Sequence, residues 1–352
     1  MHRIETESPE ITIFSRLAGQ ENAQLGDVPT FAAQHFSGNQ SAMPATRGYQ
    51  EQALTLTAAD GFPLGGRCYR PAAETVPVAA VQINAALGVR QTLYARFAAW
   101  LAARGFVVLT YDYRGLGDSM PRDRLGIHAR DWGLLDQEAA LAYLQHNHPT
   151  LPRILVGHSI GGQIAGLSRA LPHLAGVLFV SSSTGYWRNY PAPQRYGHLL
   201  LWYGLVPLLT TLFGYWPAKL LGAGENVPKG AVREWRDWCT SPDYLFDYFG
   251  RTLPVERNFY PEFRGPLHAV HFSDDTLVRR KGLDHLLRHF TNARKTVAEY
   301  TPAELNENKL GHFAFFRRKR AEDLWLRAEE RFRTWAAAAS PALPDANPNR
   351  RD

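Results

Sequence analysis

The chain has 352 residues, 45% of them hydrophobic and 20% charged, with a formal net charge of +6. A chain of that length buries a large core without staples, and its two cysteines, Cys68 and Cys239, offer neither a disulfide framework nor a metal-ligand spacing. The positive excess is small, spread along the chain and not interleaved with aromatic residues, so nucleic acid is not an expected partner. Met1 to Glu10 carries charges and no apolar run of signal-peptide length, and a cytoplasmic location is expected.

Residues 1–50 mix Gln, Ala, Ser, Gly and Pro without a sustained period and are expected to form a partly disordered N-terminal arm. From Glu51 the pattern changes. Ala53 to Thr57 alternates, Asp60-Gly61 signals a turn and Leu64 to Tyr69 resumes as a second strand. Val76 to Asn84 is a nearly continuous apolar strand. Tyr94, Phe97, Ala98 and Leu101 then recur at helical spacing, closed by Gly105. Phe106 to Tyr111 reads as a strand buried on both faces, running into the glycine-punctuated loop Asp112 to Ser119. Trp132, Leu135, Ala139 and Tyr143 mark a helix, Arg153 to His158 a further strand, and Ala175 to Ser181 another. Short connections between alternating strands and helices imply a mostly parallel sheet with helices on both faces, and a site at the carboxyl ends of the strands.

The stretch Gly157-His158-Ser159-Ile160-Gly161-Gly162 reads as strand, sharp turn and helix. A serine on such a turn needs small neighbours so that strand and helix can pass closely. The Ile160 N–H then lies at a helix start, where a developing oxyanion is favoured. A serine hydroxyl is a weak nucleophile at neutral pH and needs a base, which in turn needs an acid to orient it. With the serine at an elbow, acid and histidine follow it in the chain. Asp275, just past the strand Pro266 to Phe272, fits the acid, with its neighbour Asp274 as the alternative. His312 sits after the last strand, Lys295 to Thr301, in Lys309 to Phe313 and fits the base. A second oxyanion donor is expected just after the third strand, at Leu87 or else Ala86. His158 reads as packing, and His146, His148, His285 and His289 as solvated helix positions. No metal or organic cofactor is required by this chemistry.

Residues 184–264 break the rhythm and read as an inserted helical cap between hydrolytic-core segments 51–183 and 265–335. Tyr196 to Ala218 contains no Asp, Glu, Lys or Arg, long enough to pose the question of a membrane span. Gly204, Pro207, Gly214 and Pro217 interrupt it, so two short buried helices are expected, with a lid that contacts acyl chains or a lipid interface as the companion reading. Trp187, Trp202, Tyr203, Phe213, Tyr215 and Trp216 are expected to line or cover the substrate pocket. Arg317 to Arg320 reads as a solvated charged run, Leu324 to Trp335 as a final helix and residues 336–352 as a disordered tail.

The elbow, the loop Asp112 to Ser119, the stretch Asp275-Thr276-Leu277-Val278 and the pair Gly311-His312 together resemble the α/β-hydrolase superfamily, over about Glu51 to Trp335. More narrowly the chain resembles the monoglyceride-lipase and serine-aminopeptidase-like branch, and bacterial hydrolases of unassigned substrate. The resemblance implies an eight-stranded α/β-hydrolase sheet. That branch usually has His-Gly in the loop after the third strand, with the next residue giving an oxyanion N–H. Here Ala85-Ala86 take that place and Leu87 the donor position.

The expected activity is serine hydrolysis of a carboxylic ester or thioester with an apolar acyl group, through a Ser159, His312, Asp275 triad with Leu87 and Ile160 as oxyanion donors. An aminopeptidase or acyltransferase on the same triad, or a non-catalytic binding protein with this fold, are the rival readings.

Overall fold

The strands that the sequence marks as apolar on both sides lie at the centre of one sheet. In the computed structural model, which describes residues 48–120 and 126–339, β1 (Tyr49–Thr57) and β2 (Pro63–Pro71) form the expected hairpin, with Leu56 opposite Leu64. The predicted arm therefore lies outside the described residues except for 48–50, and the predicted tail does so beyond Ala339. The strands β3 (Ala79–Asn84), β4 (Phe106–Tyr111), β5 (Arg153–His158) and β6 (Gly176–Val180) are buried almost throughout. A two-residue pair in the cap, β7 (Tyr215–Trp216) with β8 (Val227–Pro228), stands apart. β9 (Pro266–Phe272) and β10 (Arg294–Tyr300) complete the main sheet. The order is β1-β2-β4-β3-β5-β6-β9-β10, antiparallel only where β2 meets β1 and β4.

Helices cover both faces. Gln82 and Asn84 of β3 point to α2 (Gln137–Asn147), while Phe97 of α1 (Ala95–Ala102) meets Trp325 of α7 (Leu324–Ala339) on the other side, ring centroids 5.2 Å apart. The remaining helices are α3 (Ile160–Gln163), α4 (Gln194–Phe213), α5 (Lys229–Thr240) and α6 (Arg280–Arg288). Helix α7 runs past residue 335 because Trp335 and Ala336 are both buried. The chain steps from β3 outward to β4 and then back across to β5, so the loops that follow β3 and β5 emerge side by side, with Asn84 paired to Gly157. That switch point is where an open α/β sheet leaves a crevice.

Two expectations change. The uncharged run in the cap is one continuous helix, α4, where two short ones were expected. A π turn over Leu201–Leu205 takes in Gly204, and Pro207 falls in the first turn of the α segment that follows. The π turn directly before it makes room for the ring and for the missing N–H, which would otherwise interrupt an α-helical ladder in the middle of the helix. Gly214 does end the helix, at φ 76 in the left-handed region. The run Arg317 to Arg320 is not wholly solvated: Arg320 is buried, paired with Glu307 and Asp323.

The loop Asp112 to Ser119 is built to hold itself. Asp112 accepts from the N–H groups of Gln91 (2.6 Å) and Asp118 (2.8 Å). Arg114 gives its backbone N–H and its Nε to the two oxygens of Asp136, at 2.8 and 2.7 Å, and its Nη1 to Asp60. Burial pushes the Asp136 carboxyl up to about 7 against the pull of Arg114. Removing one member of a buried pair strands the other, at a cost of about 3–5 kcal/mol. Arg114→Ala is therefore expected to destabilise the fold by about 3 kcal/mol in urea unfolding. The loss should be larger at about pH 8 than at about pH 5, where Asp136 can become neutral.

Candidate active site

Ser159 occupies a backbone conformation that few residues adopt. Its φ of 53° and ψ of −119° put it between the end of β5 and the start of α3. A non-glycine residue at positive φ stores strain and persists only where the surroundings enforce it. They do so here: its N–H is held by the Val180 carbonyl of the neighbouring strand at 3.0 Å, and its carbonyl accepts from Gly162 at 3.1 Å. A Cβ on Gly157 would lie 2.6 Å from the Gly162 Cα, and one on Gly161 only 2.5 Å from the Asn84 carbonyl oxygen. Strand, helix and the loop after β3 thus meet at backbone contact distance, as the sequence pattern anticipates.

Asp275 and His312 are joined. The His312 Nδ1 and the Asp275 Oδ2 are 2.8 Å apart, with both residues buried. The other Asp275 oxygen accepts the N–H groups of Leu277 (2.8 Å) and Val278 (3.1 Å). Burial pushes the Asp275 carboxyl up, but the His312 ring and these hydrogen bonds outweigh it, and the group lies below the usual carboxylate range. Asp274 does different work. Its two oxygens accept the backbone N–H groups of Leu310 (2.8 Å) and Gly311 (3.0 Å), so it grips the loop that carries His312. Neighbouring aspartates thus hold the ring and the backbone of one loop.

The ring before the serine links these parts. Ala86 donates its N–H to the Tyr94 hydroxyl (2.8 Å), and that hydroxyl donates to Nδ1 of His158 (2.8 Å). Nε2 of His158, left with the proton of a neutral ring, donates to the His312 carbonyl at 3.2 Å. The His158 and His312 rings lie 4.9 Å apart, centroid to centroid. His158 is therefore a buried, hydrogen-bonded tie among three loops, where the sequence suggested packing alone. With the Ala86 N–H committed, Leu87 is the donor left open in that loop. Among the described residues neither the Leu87 nor the Ile160 N–H has a hydrogen-bond partner.

Below the elbow, Asn84 is fully satisfied. Its oxygen accepts from Gln82 and Tyr111, and its amide donates to Gln137 and the Gly161 carbonyl, at 2.7 to 3.2 Å. Tyr94, Asn84 and Gln137 were not singled out in the sequence. Tyr94 is indistinguishable from the apolar face of its helix, but Gln82 and Asn84, two polar residues two apart in a buried strand, are a legible sign of a polar network.

The six cap aromatics do not form one lining. Trp202 packs inside the cap, 5.1 Å from Trp235. Trp216 is buried beside β8, and Trp187 and Tyr215 are half-buried. Tyr203 and Phe213, expected over a pocket, instead lie exposed on the outer side of α4. Two surface cavities, one beside Tyr186 and His285 and one between His128, Tyr215 and Glu234, contain none of Ser159, Asp275 and His312. The cap is fastened to the acid loop by Tyr190 and Gln194, which donate to the carbonyls of Leu277 and Thr276, each at 2.7 Å.

Asp243, His285 and His289 bring three possible metal-ligand atoms within 4.8 Å of one another. Arg288 already donates to the same Asp243 oxygen at 2.7 Å, so a positive charge occupies the cluster. His285 and His289 are part-buried partners of Asp243, not the solvated positions expected.

The family model described as serine aminopeptidase, S33, matches residues 76–303. No curated protein matches. Among solved structures, an esterase from Pyrococcus furiosus aligns with 87% of this chain and 100% of its own at a TM-score of 0.54 and 15% identity. A hypothetical protein from Pseudomonas aeruginosa gives 0.54 and 15% over 85% and 99% of the two chains. A lipase in an open form gives 0.54 and 17% over 83% and 99%. At such identities the likeness is one of fold.

Three rings, two buried and that of His198 half-buried, weaken the fold in acid. Burial holds His158 well below the ordinary imidazole value, and burial, aided by Arg279 and Arg331 respectively, pushes His198 and His268 down to about 4. Each ring takes up a proton more readily in the unfolded chain, so stability complete above about pH 6.5 is lost as the pH falls toward 4. Thermal unfolding followed across that window is expected to show a falling midpoint, and His268→Gln a shallower decline.

Proposed function

Since the chain belongs to the serine aminopeptidase S33 family of α/β hydrolases, we propose that it is a serine hydrolase cleaving a carboxylic ester or thioester with an apolar acyl group. Ser159 attacks the carbonyl carbon while His312 takes its proton. The oxyanion forms against the N–H groups of Leu87 and Ile160. His312 then returns the proton to the leaving group, and a water repeats the sequence to release the acid. Asp275, held ionised, keeps the His312 Nδ1 protonated and stabilises the imidazolium. The observation that carries the reading is the buried Asp275–His312 hydrogen bond, with the His312 ring 4.9 Å from that of His158, the residue before a serine at positive φ.

Peptide hydrolysis at a free amino terminus is the less favoured reading on this triad. It needs a carboxylate placed to receive an ammonium group; of the acidic side chains of the cap only Glu256 and Glu262, both exposed, lack a partner among the described residues, and the others are engaged. Glu225 pairs with Lys219, Glu234 with Arg130, Asp237 with Arg236 and Asp243 with Arg288. Asp247 accepts from Ser241 and from the Asp243 N–H. The apolar acyl group is supported by the uncharged run of the cap, Tyr196 to Ala218, whose Leu201, Trp202 and Val206 face inward.

Labelling by a fluorophosphonate probe is expected for the native chain and lost in Ser159→Ala and His312→Ala; a folded native chain that does not label would overturn the reading. Asp275→Asn is expected to lower kcat about 10³- to 10⁴-fold, far more than Asp274→Asn, which loosens only the loop. In a series of p-nitrophenyl esters, kcat/KM is expected to rise with acyl length, and a flat series would remove the apolar-acyl part.

A further inference from the structure

Helix α4 carries an apolar face that nothing in the described residues covers. Its mean hydropathy is 1.3 over an 18-residue window, yet only 22% of that window is buried. Leu201, Trp202, Val206 and Thr210 point into the protein. On the outer side Tyr196, Leu200, Tyr203, Leu208 and Leu212 are 61, 47, 65, 54 and 69% exposed. The extra residue of the π turn over Leu201–Leu205 brings Leu208 and Leu212 into line with Tyr196, Leu200 and Tyr203 along one side of the helix. A helix that is apolar all round belongs in a core or in lipid, and a row of large exposed apolar side chains marks a surface that meets a partner.

The charges around this face say which partner. Between Glu138 and Glu225 the sequence has no acidic residue, while Arg188, Arg195 and Lys219 flank the helix. Arg188 and Lys219 are exposed, and only Lys219 has an acidic neighbour, Glu225. A second copy seated symmetrically on the face would bring like charges together. An anionic lipid surface meets both the apolar row and the cations.

We propose that the outer face of α4 docks the protein on an anionic bilayer, with the helix lying flat at the level of the headgroups. A helix of 20 residues is long enough to cross a bilayer, but its inner side is committed to the protein. Arg233 donates to the hydroxyls of Thr210 and Thr211, and Gln194 holds Thr276 and Arg279. The inner end of the docked helix thus bears directly on the loop of Asp275, which places the triad next to the lipid surface. This docking goes beyond the hydrolase reading and is measured without turnover.

The test is sedimentation of the Ser159→Ala chain with vesicles of phosphatidylcholine alone and of an equal mixture with phosphatidylglycerol. Binding to the anionic vesicles is expected, about tenfold or more weaker without phosphatidylglycerol and reduced by salt. Leu208→Glu with Leu212→Glu, both at exposed positions, is expected to weaken it about a hundredfold with no change in thermal midpoint. No binding of the parent chain, or equal binding of the double variant, overturns the proposal. So does a chain that is dimeric by ultracentrifugation and becomes monomeric in the double variant, since the face would then belong to a second copy.

Discussion

A serine bent to positive φ between a buried strand and a short helix is the constraint around which this molecule is arranged. Such a bend relaxes unless three backbones are pressed together at once, and here the end of β5, the start of α3 and the loop after β3 approach so closely that no side chain beyond hydrogen fits at Gly157 or Gly161. The reversal of strand order brings those backbones side by side. Sheet topology and local strain are therefore two aspects of one arrangement: the first supplies the crevice, the second lifts a hydroxyl into it.

The bend would be costly in an apolar core, because it leaves backbone and side-chain polar groups buried. Two networks offset that cost. Beneath the elbow, Asn84 uses all of its amide capacity and draws Gln82, Tyr111, Gln137 and the first turn of α3 together. Above it, the chain of donors from Ala86 through Tyr94 and His158 to the His312 carbonyl ties the loop after β3, the elbow and the loop of His312. Beneath the elbow the Gln82 side-chain oxygen is left without a partner among the described residues, whereas every member of the upper network is satisfied when His158 is the neutral ring, the form burial also favours.

The cap answers to a different demand. Its inner side is bonded to the acid loop through Tyr190 and Gln194 and to α5 through Arg233. Its outer side is apolar and has no protein partner among the described residues. A single helix thus has one face set by packing and the other exposed, and its first turn is bonded to the loop of Asp275.

The sequence by itself determined the sheet and the elbow, because these rest on local patterns: continuous apolar runs for strands buried on both faces and glycines where backbones meet. On local pattern it favoured Asp275 over Asp274 and Leu87 over Ala86. Which of two adjacent aspartates faces the ring depends on how β9 meets the loop of His312, and which N–H stays open depends on where the Tyr94 hydroxyl lands, both contacts between segments distant in the chain. The same holds for the cap. Glycine and proline suggested breaks in the uncharged run, but a π turn directly before Pro207 kept α4 whole, and only tertiary packing decided which of its apolar residues turn inward and which are left facing out.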